Sequence, residues 1–335
     1  MRRPWLPALA GAAAVTAIGG GFWIAWLAGA LEEPRFTRPY LLASGASLDP
    51  QVLNAGQASF TLYCAPCHGA GGDGCGASGV TIRPPPRSFR RGLFKFSGSS
   101  PGMLPTDEAL DRTIRRGLYG TPMLAWGIPE ADRARLEAYL KTLSPRWQHE
   151  SPGRPLEISG DPWKGREQEA IRRGEVLYHV VARGHAGCST CHPAYATREA
   201  IARMVKEVPG AKLELREDLY RSVLKESEYP LTCDEAGNPK QMVMAVPPDF
   251  LFDRVKTAFP IGARVDGKPY TREGQRLDLY RTIAGGVGGT AMPQWKGAIP
   301  EENLWALVYY VQSLIARRGT PGALEMAGAP EGGSR

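Results

Sequence analysis

Two five-residue runs carry the clearest chemistry in this sequence. Cys64-Ala65-Pro66-Cys67-His68 and Cys188-Ser189-Thr190-Cys191-His192 both have the form C-x-x-C-H. Two thiols one turn apart can add to the two vinyl groups of a haem, and the histidine that follows can reach the iron. This is the attachment signal of a c-type haem. Zinc also accepts paired CxxC motifs, and a redox dithiol needs only the cysteines. Neither explains a histidine directly after each pair. The spacing predicts two covalently bound haem c groups whose irons take His68 and His192.

The elements around these motifs repeat. Arg112-Thr113-Ile114 through Gly117, Gly120-Thr121-Pro122-Met123 and Trp126 recur in the second half of the chain, in register, as Arg281-Thr282-Ile283 through Gly286, Gly289-Thr290-Ala291-Met292 and Trp295. Each copy leads into a stretch with apolar residues at i, i+3, i+4 and i+7, the spacing of one helix face. In the first these are Leu136, Tyr139, Leu140 and Leu143; in the second, Leu307, Tyr310, Val311 and Leu314. Each CxxCH follows a glycine with an aromatic four residues on, Gly56 with Phe60 and Gly174 with Tyr178. The repeated unit is helix, CxxCH, Pro-rich loop, short helix, Gly-Thr-x-Met loop and terminal helix.

This unit resembles the class I cytochrome c domain, and the resemblance covers nearly all of residues 49–316. It implies a mainly α fold of two tandem domains. It also implies that the first and last helices of each domain cross at a glycine against an aromatic, Gly56 on Tyr139 and Gly174 on Tyr310. The family takes its distal iron ligand from a methionine after a glycine-rich turn, which implies Met123 and Met292. Most methionines are core packing; the recurrence of this one in the same local sequence, before the same tryptophan, favours ligation. The resemblance further implies a proline carbonyl that orients each proximal histidine, with Pro85 and Pro247 as candidates among neighbouring prolines. Trp126 and Trp295 read as haem-packing core, with an electron relay as the other reading. Arg112 and Arg281 read as a solvated face, with propionate contact as the other reading.

Before the first domain the chain carries Arg2 and Arg3 and then no charge from Pro4 to Leu31. A helix over this run is long enough to span a bilayer core, with Trp23 and Trp26 near its outer end. The expectation is a membrane anchor at 1–31, with cleavage as a signal as the alternative, and the haem domains facing the periplasm. The expected layout continues with a tether at 32–48, a first cytochrome c domain at 49–150, a linker at 151–163, a second domain at 164–316 and a disordered tail at 317–335.

The two copies differ in length. The stretch from His192 to Met292 is nearly twice as long as that from His68 to Met123. The excess falls mainly at 194–240, where 198–208 and 213–226 are expected to be helical. Two cysteines remain, Cys75 and Cys233. Three readings stand for them: a mutual disulfide, two buried thiols, or a thiolate ligand that displaces a methionine. His149, His179 and His185 read as surface or rim histidines, with distal exchange at the second haem as the minority reading.

Of the 335 residues, 43% are hydrophobic and 22% charged, which fits a globular chain and excludes a disordered one. Six cysteines are too few for a disulfide scaffold. The net charge of +7 is spread out, without the dense basic tract that nucleic-acid binding needs. Arg83, Arg87, Arg90, Arg91, Lys95, Arg115 and Arg116 are expected to ring the first haem edge as a docking face. Methionine at both distal positions would close both irons and leave outer-sphere electron transfer. The expected function is electron transfer between respiratory-chain partners: a quinol-oxidising complex, a terminal oxidase or a soluble cytochrome. The alternative is a dihaem enzyme, a peroxidase or a thiosulfate dehydrogenase.

Overall fold

The computed structural model describes residues 35–79, 81–223, 225–233 and 239–326, with the side chains of 226–244 and 324–326 outside that description. It is mainly helical and forms two lobes, each around its own apolar cluster. Helix α1, Pro50–Tyr63, starts under an Asp49 cap whose Oδ1 accepts from the Gln51 N–H at 2.7 Å. It runs into the CxxCH motif as a short helix α2, Ala65–His68. Helix α3, Asp107–Arg116, carries the first Arg-Thr-Ile segment, and α4, Glu130–Thr142, closes the lobe. A single turn, α5, Arg146–His149, follows. In the second lobe α6, Glu167–His179, precedes the other CxxCH. Helix α7 is Arg198–Glu207, α8 is Arg272–Gly285, α9 is Glu301–Arg317 and α10 is Pro321–Met326.

Helices α1 and α4 cross where the sequence puts a glycine. A Cβ on Gly56 would lie 2.9 Å from the Tyr139 Cβ and would run into the Arg135 carbonyl. Helices α6 and α9 repeat the crossing, with Gly174 2.6 Å from the Tyr310 Cβ by the same measure and against the Ala306 carbonyl. Only a residue without a side chain allows this approach. The aromatic beside each glycine fills the crossing: Phe60 stands 5.3 Å from Tyr139 and Tyr178 5.4 Å from Tyr310, ring to ring. All four rings are fully buried.

Several expectations are corrected here. The anticipated anchor at 1–31 lies outside the described residues, and among those described no helix is long and apolar enough to cross a membrane. The longest, α9, has 17 residues and begins Glu301-Glu302, against the roughly 20 apolar residues a span needs. The N-terminal transmembrane helix and the membrane localisation built on it are therefore not supported. The tether is not loose from residue 36 onward. Phe36 and Asn54 exchange two hydrogen bonds, at 3.0 and 2.9 Å, and strand β1, Tyr40–Leu41, pairs with β2, Ser47–Leu48. The start of the tail forms α10, with Ala323 buried.

The second expected helix of the insertion is absent. Residues 211–223 fold back as an irregular loop, and Lys225–Cys233 (β3) pairs antiparallel with Pro239–Ala245 (β4). The reason is Arg216, whose guanidinium donates to the carbonyls of Ser189, His192, Leu219 and Arg221 at 2.8–3.3 Å. This loop is built around one cation rather than around helical i to i−4 bonds.

Candidate haem-binding site

In the first lobe Cys64, Cys67, His68 and Met123 line one cavity that opens to solvent. Its walls are mainly apolar, with Phe89, Phe94, Ile114, Leu118 and Leu140 among them. The His68 N–H donates to the Cys64 carbonyl at 2.8 Å, so the motif closes as one helical turn with both cysteines at its ends. Burial pushes the Cys64 thiol up to about 12, with Cys67 adding to the shift.

The His68 ring is fixed on two sides. Its Nδ1 lies 2.8 Å from the Arg87 carbonyl, which can only accept, so Nδ1 carries the proton and Nε2 keeps its lone pair. Its face stacks on Phe89 at 4.6 Å and 22°. Burial holds its pKa below the ordinary 6.5, which keeps the ring neutral, as a metal ligand must be.

The second lobe repeats this arrangement. The His192 N–H donates to the Cys188 carbonyl at 2.9 Å, Nδ1 lies 3.0 Å from the Pro248 carbonyl, and the ring stacks on Phe250 at 5.0 Å and 16°. Burial lowers the His192 pKa and pushes the Cys188 thiol up to about 12. Cys188, Met292 and Trp295 pack together against the lobe's apolar core. The orienting carbonyls are thus those of Arg87 and Pro248, not of Pro85 and Pro247. The stacking pair Phe89 and Phe250 is absent from the sequence reading, although each lies two residues after its carbonyl. Pro86-Arg87-Ser88-Phe89 and Pro247-Pro248-Asp249-Phe250 carry that signal.

The methionine loops match bond for bond. After Gly117, at φ +66°, the Leu118 N–H donates to the Met123 carbonyl at 2.7 Å. The Thr121 hydroxyl donates to the Leu118 carbonyl at 2.8 Å and accepts from the Met123 N–H at 3.2 Å. After Gly286, at φ +70°, Val287, Thr290 and Met292 make the same three bonds at 3.2, 2.7 and 3.2 Å. A Cβ at either glycine would strike the backbone that follows the methionine.

The remaining candidates separate. Trp126 lines the first cavity but is 41% exposed, beside a still more open Leu124 at 60%. His179 is buried and already committed: its Nδ1 donates to the Glu175 carbonyl at 2.8 Å and its Nε2 accepts from the Tyr195 N–H at 3.0 Å. It is no surface histidine, and its lone pair is not available to an iron. Cys75 is disulfide-bonded, and the side chain of Cys233 lies outside the described residues. Of the expected basic ring, Arg87 and Lys95 line the first cavity, and others turn elsewhere. Arg115 and Arg116 pair with Asp266 and Arg116 also with Asp278, both in the second lobe, while Arg90 pairs with Asp73 at 3.2 Å. Arg112 pairs with Glu108, and Arg281 with Asp278 at 2.9 Å.

The crossed terminal helices, the CxxCH turn between them and the apolar cavity behind it define a cytochrome c domain. Residues 53–144 match the cytochrome c family, whose members hold haem c covalently through the CxxCH cysteines, here Cys64 and Cys67. A solved chain with a similar fold belongs to the Kuenenia stuttgartiensis reducing HAO-like protein complex. It is 24% identical, with a TM-score of 0.55 over 78% of this chain and 96% of that one. Comparison with curated proteins gives no match.

Proposed function

We propose that this protein is an electron carrier with two c-type haems. Cys64, Cys67, His68 and Met123 hold one; Cys188, Cys191, His192 and Met292 hold the other. The observation that carries this reading is the identity of the two methionine loops, hydrogen bond for hydrogen bond, each beside a proximal histidine oriented and stacked in the same way. Bound haem supplies one-electron redox chemistry at its iron. The chain's residues set what that chemistry can be. His68 and His192 each offer Nε2 while a backbone carbonyl holds the proton on Nδ1. Met123 and Met292 would supply the second protein ligand to each iron, which would close it to substrate and leave electron transfer as its chemistry.

Redox proteins are the partners this arrangement suits: a quinol-oxidising complex, a terminal oxidase or a soluble cytochrome. The open Leu124 and Trp126 at the first cavity give such a partner an apolar contact. A carrier and an enzyme subunit would both suit a complex named as reducing, as that of the fold neighbour is. A methionine held in the same way in each lobe, where it could close the iron, favours the carrier. The sulfur-oxidising alternative drew on a cysteine thiolate, and the disulfide at Cys75 speaks against it.

The test is to quantify haem per purified chain, reduce the protein and add carbon monoxide while recording the visible spectrum. Two haems and an unchanged spectrum are expected. A single haem overturns the second site, and ready carbon monoxide binding overturns closed ligation and with it the carrier reading.

A further inference from the structure

The contact between the lobes is reciprocal. The Tyr119 N–H, in the first methionine loop, donates to the Lys256 carbonyl of the second lobe at 2.9 Å. Gly288 holds the place of Tyr119 in the second loop, and its N–H donates to the Lys95 carbonyl of the first lobe at 3.0 Å. Lys95 and Lys256 are themselves equivalent, each six residues after the phenylalanine that stacks on its lobe's histidine. Each loop therefore holds the other lobe's lysine segment, the pattern of a two-fold contact. The cavity between the lobes repeats the pairing, with Arg112 and Arg281, Thr113 and Thr282, and Gly117 and Gly286 in its walls.

Lys256 does more than touch the interface. It lines the first lobe's haem cavity together with Lys95 and Arg87, although it comes from the other lobe. Arg87 crosses the same boundary in the opposite sense: its carbonyl holds His68 and its Nη2 donates to the Gly288 carbonyl at 3.3 Å. Three cations thus converge on one part of a mainly apolar cavity. Burial lowers both lysines, and the charges of Lys256 and Arg87 lower Lys95 further, to about 7. Asp253 offsets part of this at Lys256, and an anionic group bound in the cavity beside the three side chains would gain from all of them.

We propose that Lys256 completes the first domain's haem site from across the interface, forming with Lys95 and Arg87 a cradle for the propionate carboxylates. The second lobe is then part of the first haem's binding site. This rests on haem carried by the cytochrome c domain at 53–144 and not on the haem content of the second lobe.

Potentiometric titration of the full haem-loaded chain tests it. A lysine charge beside the macrocycle favours the added electron. Its loss should lower the reduction equilibrium on the order of tenfold at an effective dielectric near 20, about 59 mV for a one-electron couple. Lys95→Gln and Lys256→Gln should move the same wave downward. Lys256→Arg should keep that wave within about twofold of the parent, and Lys268→Gln, at an exposed site, should leave it in place. Haem content per chain, measured alongside, identifies any variant that fails to fold, and Lys256→Met then replaces Lys256→Gln. The cradle is overturned if Lys256→Gln leaves in place the wave that Lys95→Gln moves, if it moves only another wave, or if neither variant moves any.

Discussion

Acid should loosen the second lobe through His179. This ring is buried, donates from Nδ1 to Glu175 and accepts at Nε2 from the Tyr195 N–H. Protonation destroys that acceptor, and burial, set against the Glu175 bond, holds the pKa down at about 4 from the ordinary 6.5. The unfolded chain takes up the proton near 6.5 and the folded one only near 4. Between those values the unfolded state binds more protons, so stability falls as pH falls and levels off below about 4. The gap is worth about 3 kcal/mol between pH 7 and pH 4, roughly half of it lost by pH 5.3. The effect reaches the histidine of the CxxCH motif, because Tyr195 also accepts from the Phe250 N–H at 2.8 Å, and Phe250 stacks on His192. Urea unfolding at a series of pH values, followed by near-UV circular dichroism, measures the loss. His179→Gln keeps an acceptor for Tyr195 without the titration, so the variant should lose about 3 kcal/mol less than the parent over this range. Parallel pH profiles for parent and variant would refute the argument.

Three further outcomes are expected. Gly174→Ala drives a Cβ into the α6–α9 crossing; overpacking of about 1–3 kcal/mol outweighs the gain of up to about 1 kcal/mol in helix propensity, and the melting temperature should drop by several degrees. Met123→Ala should let the reduced protein bind carbon monoxide at one haem and should lower that haem's potential, both read in the visible spectrum. Asp278 takes bonds from Arg116, Arg281 and the Tyr270 hydroxyl while 5% exposed. Asp278→Asn should cost about 2 kcal/mol in urea unfolding, less than the 3–5 kcal/mol of a fully buried pair because the arginines are partly exposed.

The sequence exposed what depends on side-chain identity at fixed spacing. The CxxCH motifs, the Gly56–Tyr139 and Gly174–Tyr310 crossings and the twin methionine loops all fall in this class, since a glycine at a crossing or a threonine closing a loop cannot be exchanged freely. It concealed what depends on backbone atoms. The carbonyls that orient His68 and His192 belong to Arg87 and Pro248, and a carbonyl leaves no mark on residue type. Only the phenylalanine two places further on marks them, and that mark lies in comparing the copies rather than in either alone. The helix expected at 213–226 failed for a related reason. Arg216 draws four carbonyls to itself, two of them inside the second CxxCH motif, and this contact between distant parts of the chain outweighs local propensity. Arg87 and Lys95 of the expected ring line the first cavity, but Arg115 and Arg116 do not, because charge in sequence says nothing of partners: Asp266 and Asp278 belong to the other lobe, far along the chain from the arginines of α3 that they bind.

The paired bonds from Tyr119 to Lys256 and from Gly288 to Lys95 are those of a homodimer written into one polypeptide. A half-length ancestor that associated with itself about a two-fold axis would form both from a single sequence. Duplication and fusion of such an ancestor would let the halves diverge while the contact persists. The donor is the amide in both loops, but the position is not free in both: a Cβ on Gly288 would run into the Phe94 carbonyl, while Tyr119 keeps its side chain. Ancestry of this kind predicts that the halves drift fastest in side chains and slowest in the backbone path through the interface.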